Sequence, residues 1–87
     1  MADMINILVK HPGEDWHKET VENDLYVFQR IVGGYIEEAT LTNGEVIICN
    51  EEGWLMDLPY NCDIECYSFC GTLIKCKADG EEFASIW

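Results

Sequence analysis

Cys62, Cys66 and Cys70 recur every four residues, an interval that would line three thiols along one face of a helix. Zinc takes four ligands, usually from paired cysteine knuckles two to four residues apart, and iron–sulfur clusters use tighter spacings with a fourth cysteine. Cys49, Cys76 or a histidine could complete such a set, but no paired knuckle is present. Five cysteines is an odd number, and they sit among hydrophobic residues rather than punctuating loops. They therefore read as reduced thiols, most of them small core side chains, in a cytosolic chain. His11 and His17 bracket Glu14 and Asp15, a grouping of metal-ligand and general-base types that nothing in the sequence orients. Ser68 and Ser85 lack a Gly-x-Ser-x-Gly setting, and no cysteine stands in a nucleophile signature. Gly33-Gly34 precedes a strand rather than a helix, so it reads as a helix stop and tight turn, not a phosphate cradle. The expectation is a chain that is not an enzyme, with no catalytic residue, no metal and no cofactor.

The carboxylates carry more information. The 87 residues hold 17 Asp and Glu against 5 Lys and Arg, a net charge of −12. Between Arg30 and Lys75 there is no cation at all, while Glu37, Glu38, Glu45, Glu51, Glu52, Asp57, Asp63 and Glu65 fall inside. A phosphate backbone meets repulsion from such a surface, because nucleic-acid affinity comes from Lys and Arg displacing condensed counterions. Direct nucleic-acid binding and binding to anionic membranes are both disfavoured. The complement is a basic protein partner, with Glu37, Glu38, Glu45, Glu51, Glu52 and Asp57 as the candidate contact residues. A solvated acidic face that only maintains solubility is the other reading of the same residues.

The elements that must position these side chains are those of one α+β domain spanning residues 1–87. With 48% hydrophobic residues the chain has enough apolar content for a core. Met4–Lys10 alternates as a strand, and Pro12-Gly13 ends it. Val21, Leu25, Phe28 and Val32 lay a stripe along a helix predicted from Thr20 to Val32, with Thr20 as N-cap, Glu22 and Asp24 in the first turn, Arg30 in the last and Gly33 at the stop. Tyr35–Leu41 and Glu45–Asn50 are strands joined through Asn43-Gly44, a hairpin signal. Glu37 and Glu38 then point to opposite faces, so one of them must approach the core or lie on an edge. Trp54–Tyr60 reads as irregular or a short helix, Cys70–Lys77 as the fourth strand, and Asp79-Gly80 as a final turn. The expected architecture is one amphipathic helix packed on a small, mostly antiparallel four-stranded sheet. No apolar run reaches the length of a membrane span, and a cytosolic location is expected. The three tryptophans lie outside the periodic elements, which argues for a homodimer that shares their burial.

Ile5-Asn6-Ile7-Leu8-Val9 with Pro12-Gly13, Ile31 to Glu37, Val46 to Gly53, Leu58-Pro59-Tyr60-Asn61 and Gly71-Thr72 together resemble an uncharacterised small-protein family, a domain of unknown function found largely in bacteria, their plasmids and phages. The resemblance spans nearly the whole chain and departs between Asn61 and Gly71, where the cysteine-rich segment stands. It implies a mobile-element protein whose business is with host or competitor machinery. Combined with the charge, the expected function is an inhibitor of a host defence protein, of anti-CRISPR or anti-restriction type. Such an inhibitor would occupy the basic nucleic-acid groove of a defence nuclease or its complex by partial nucleic-acid mimicry. The alternative is a non-enzymatic module that sequesters a small molecule or nucleotide signal between subunits of an oligomer.

Overall fold

Ile5, Ile7 and Val9 alternate with Asn6, Leu8 and Lys10, and burying the first set on one face makes Met4–Lys10 strand β1. The computed structural model describes residues 3–87. After β1 come β2 (His17–Glu22), α1 (Leu25–Val32), β3 (Ile36–Thr40), β4 (Glu45–Asn50), β5 (Tyr60–Ile64), β6 (Tyr67–Cys70), β7 (Leu73–Asp79) and β8 (Glu82–Ala84). The main sheet runs β2-β1-β7-β4-β3, with β8 added beside β7, and every pairing is antiparallel. β5 and β6 form a separate two-stranded sheet. No helix among the described residues is long and apolar enough to cross a membrane.

Two apolar clusters hold these layers together. On one face, α1 sets Phe28 and Val32 against Ile5, Ile7, Val9, Val46, Ile48, Ile74 and Cys76. On the other, the β5–β6 hairpin sets Phe69 against Leu41, Ile47 and Leu73. β4 is thus covered on both sides, which explains the uninterrupted Val46-Ile47-Ile48 run.

The α+β class and the antiparallel sheet agree with the sequence reading, but the main sheet has six strands rather than four. The helix starts at Leu25, not Thr20. Asp24 is its N-cap, its carboxylate accepting from the Tyr26 amide at 2.8 Å. Thr20 and Glu22 belong to β2, where Val21 faces Ile5 across the ladder, so Val21 never joins the helical stripe. The stop is as expected: Gly33 adopts φ 83° and donates to the Gln29 carbonyl at 2.8 Å. The fourth expected strand begins at Leu73, because Gly71 at φ 74° breaks the chain first.

The tryptophan argument for a homodimer applies to two of the three rings, Trp54 and Trp87, which stay 63% and 47% exposed. Trp87 donates its indole N–H to the Ile7 carbonyl at 3.0 Å and lies 4.9 Å beneath the Lys18 ammonium. Trp16 packs on the second cluster with Lys75 4.5 Å above its ring. Both make contacts within the chain, but only Trp16 is half-buried by them, while Trp87 and Trp54 stay exposed.

Core burial also sets an alkaline limit. Desolvation, reinforced by the Glu38 carboxylate, pushes the Cys76 thiol from 9.0 up to about 12. An acid whose folded pKa is raised contributes fully below its unfolded pKa, and that contribution is lost as pH rises from 9 toward 12. Cys76→Ala is therefore expected to be less stable than wild type near neutral pH yet to lose stability less steeply between about pH 9 and 11. Urea denaturation across that range checks it, and parallel slopes in the two proteins would refute it.

Candidate partner-binding groove

β3 is the outermost strand of the main sheet, and that placement resolves the Glu37 and Glu38 question: they face opposite sides, and both are exposed at an edge. Beyond β4, the buried Asn50 organises the next turn. Its Nδ2 donates to the Val32 carbonyl at 3.2 Å, and its Oδ1 accepts from the Glu52 amide at 2.8 Å. The Glu51 amide donates to the Tyr35 carbonyl at 2.8 Å, which brings Glu51 beside the start of β3. Gly53 then passes so close to β6 that a Cβ would lie 2.7 Å from Cys70 Sγ. The chain turns outward from there, exposing Trp54, Leu55 and Met56.

The opposite wall is β6, and two polar anchors hold its hairpin. Asn61, buried, donates to the carbonyls of Lys10 at 2.9 Å and Gly71 at 2.8 Å and accepts from Lys10 Nζ at 2.7 Å. At the hairpin tip Glu65 adopts φ 54°. Its carboxylate accepts from the Thr42 amide at 3.0 Å and the Thr42 hydroxyl at 2.8 Å, tying the tip to the β3–β4 turn.

Between these walls lies a groove of about 310 Å³. Glu37 and Glu51 bring the charge, Glu38 borders the groove from β3 with its carboxylate turned to the helix face, Trp54 and Tyr67 bring aromatic surface, and Ala39, Cys49, Phe69 and Cys70 add smaller apolar lining. Burial, followed by the Glu37 carboxylate, pushes the Cys49 thiol up to about 11, so the groove contains a neutral thiol at physiological pH. The one contact between a carboxylate and a basic side chain within salt-bridge distance among the described residues joins His17 and Glu19 on β2, at the far edge of the sheet. The groove carboxylates are therefore not neutralised from within. The lysines sit elsewhere: Lys10 on Asn61, Lys18 over Trp87, Lys75 over Trp16, and Lys77 opposite Glu45 in the β4–β7 register.

Of the six acidic residues singled out in the sequence, Glu37 and Glu51 converge on the groove, and Glu38 stands at its β3 rim with its carboxylate on the opposite face of the sheet. Glu52 follows in the turn with its side chain exposed and does not line the groove. Glu45 is at the opposite end of β4, accepting from Asn43 Nδ2 at 3.0 Å. Asp57 is a left-handed turn residue at φ 56°, also outside the lining. The sequence marks Trp54 for burial between two copies rather than for this groove and gives no sign of Tyr67, because only the long-range approach of β6 to β3 gives them a shared role. Cys62, Cys66 and Cys70 lie on an antiparallel hairpin instead of a helix, and all five cysteines are free thiols. Among the described residues no three His, Cys, Asp or Glu side chains gather as metal ligands. A second cavity of about 280 Å³, lined by Asp3, Asn23, Leu25, Phe28 and Glu81 to Phe83, contains none of the six.

The family model DUF3846, a domain of unknown function, matches residues 5–86, and the chain belongs to that family. The matched span includes the whole groove. No curated protein and no solved structure matches the chain.

Proposed function

We propose that this member of the DUF3846 family is a non-enzymatic binding module that docks a basic protein surface against the β3 side of its sheet. The specific form is an inhibitor that occupies the nucleic-acid groove of a host defence protein. The observation that carries the reading is the convergence of Glu37 and Glu51 with Trp54 and Tyr67 on one open groove that holds no cation, with Glu38 exposed on the other side of the same edge strand. Carboxylates presented to a Lys/Arg groove replace phosphates there, raising on-rate and specificity through the same counterion release that nucleic acid uses. The exposed Trp54-Leu55-Met56 turn adds the aromatic and methionine content typical of an interface core. The alternative of a sequestered nucleotide is disfavoured, since the Glu37 and Glu51 carboxylates would face its phosphates.

Immobilised wild-type chain is expected to retain nucleic-acid-binding proteins from a nuclease-treated bacterial lysate at about 50 mM salt and release them near 500 mM, as the Debye length falls from ~14 Å to ~4 Å. Added duplex DNA should displace the same proteins. Glu37→Lys/Glu38→Lys/Glu51→Lys should abolish retention. Glu14→Lys/Glu22→Lys/Asp79→Lys, which changes net charge equally at exposed positions outside the groove, should not. Equal retention by the two triple variants, or no retention by wild type, would overturn the proposal.

A further inference from the structure

We infer that the basic partner binds as an extended segment added alongside β3, a seventh strand of the main sheet, with two adjacent Lys or Arg residues facing Glu37 on the groove side and Glu38 on the opposite side. The inference rests on the proposed function and names the partner's chemistry and binding mode. The hydrogen-bond phase of the β3–β4 ladder is the starting point. The Leu41 amide donates to the Glu45 carbonyl at 2.8 Å and the Glu51 amide to the Tyr35 carbonyl at 2.8 Å, so the odd-numbered residues from 35 to 41 are those bonded to β4. In an antiparallel pair, hydrogen-bonded positions alternate with positions whose N–H and C=O point away. Ile36, Glu38 and Thr40 therefore turn their backbone groups outward, and among the described residues nothing pairs with them.

A free edge of this kind is a template for another strand. β3 has no proline and no register break, so nothing in its backbone blunts the edge. Its five residues span about 17 Å at ~3.3 Å each, enough for a short extended segment. What limits its partners is charge. A second copy pairing β3 to β3 would set the Glu37 and Glu38 carboxylates of both chains together, and like charges across a ladder repel. A segment with adjacent cations meets the opposite case. Because consecutive residues face opposite sides, one cation reaches Glu37 and the next reaches Glu38, and a residue two positions on returns to the groove side near Ala39 and Tyr67. The edge thus rejects itself and accepts an extended Lys/Arg doublet.

The test uses the full chain and a fluorescein-labelled nine-residue β-prone peptide with a central Lys-Arg pair, followed by anisotropy. Wild type is expected to bind it. Methylating alternate peptide backbone nitrogens on the edge-facing side should weaken binding at least tenfold without changing charge. Thr40→Pro should do the same, because it deletes an outward N–H and leaves both the β4 ladder and the groove carboxylates in place. Amide exchange on the wild-type complex should show new protection at Ile36, Glu38 and Thr40. Undiminished binding by the methylated peptide, no binding of the parent peptide, or unchanged exchange at those three amides overturns strand addition. The salt-labile retention that separates the two triple variants is an independent readout. If it persists while strand addition fails, the acidic docking surface stands without this mode; if the Glu-Asp version of the peptide binds wild type equally well, both readings fall.

Discussion

Replacing Asn61 by leucine is expected to destabilise the fold by about 3–5 kcal/mol, a large fraction of what a domain of this size possesses. Asn61 is buried and is the meeting point of three segments: its amide satisfies the carbonyls of Lys10, at the end of β1, and of Gly71, just before β7, and its oxygen receives the Lys10 ammonium. Leucine is close in volume, so the loss would come chiefly from the two carbonyls left without a donor, each worth about 1–3 kcal/mol when buried, while the half-buried Lys10 ammonium turns to water. The expected signature is a lower urea midpoint with an unchanged slope. A loss below about 1 kcal/mol would mean that these groups find other partners and that Asn61 is not the clamp. Because Asn61 lies on the hairpin whose second strand walls the groove, the same variant should bind the proposed basic partner more weakly even under conditions where it remains folded.

How much of this was legible depends on the range of the interaction involved. β1, β3, β4 and the helix stop are written in local alternation, in Asn43-Gly44 and in Gly33, and the structure reproduces them. β2 was missed because His17–Glu22 carries one apolar residue, Val21, and owes its strand state to pairing with β1; that same valine at helical spacing from Leu25 extended the helix falsely. The β5–β6 turn is Glu65-Cys66, where the usual signal would be Asn-Gly, and only the bonds from Glu65 to Thr42 explain why a glutamate sits there at positive φ. Cysteine spacing in that segment imitated a helical period that the strands do not obey.

For the groove, charge was legible and convergence was not. The cation-free stretch contains both acidic side chains that share the groove, Glu37 and Glu51, with Glu38 at its rim. Glu45 and Asp57 share the charge but not the location, because β4 separates Glu45 from Glu51 and the turn carries Asp57 past the lining. The segments that carry the family resemblance contain Gly34, Asn50, Gly53, Asn61 and Gly71, residues whose contacts assemble the walls. Those segments are therefore largely instructions for building the groove, while the resemblance itself carries no partner.

Asn50→Asp tests that link through pH. In the wild type the Asn50 amide donates to the Val32 carbonyl at the end of α1 and accepts from Glu52, and a Cβ on Gly34 would lie 2.9 Å from its nitrogen. An ionised aspartate in the same place keeps the bond from Glu52, loses the donor to Val32, and adds an unpaired buried charge next to Glu51 and Glu52 in sequence. Removing compensation from a buried charge costs about 3–5 kcal/mol. Burial and the neighbouring carboxylates raise the folded pKa of Asp above its usual ~3.9. The sign follows directly: the protonated acid is the form the fold tolerates, since its O–H can again donate to Val32, so stability is retained at low pH and lost as pH climbs through the raised pKa. The deficit of Asn50→Asp against wild type is expected to be small near pH 4, to grow toward pH 7 and then to level off, when measured by paired urea denaturations that cancel the titration of the shared acids. A deficit that stays constant over that range would show that Asn50 acts by shape alone. If it grows as expected, binding of the basic partner should fall in step with it, because Glu51 and Trp54 hang on the turn that Asn50 closes.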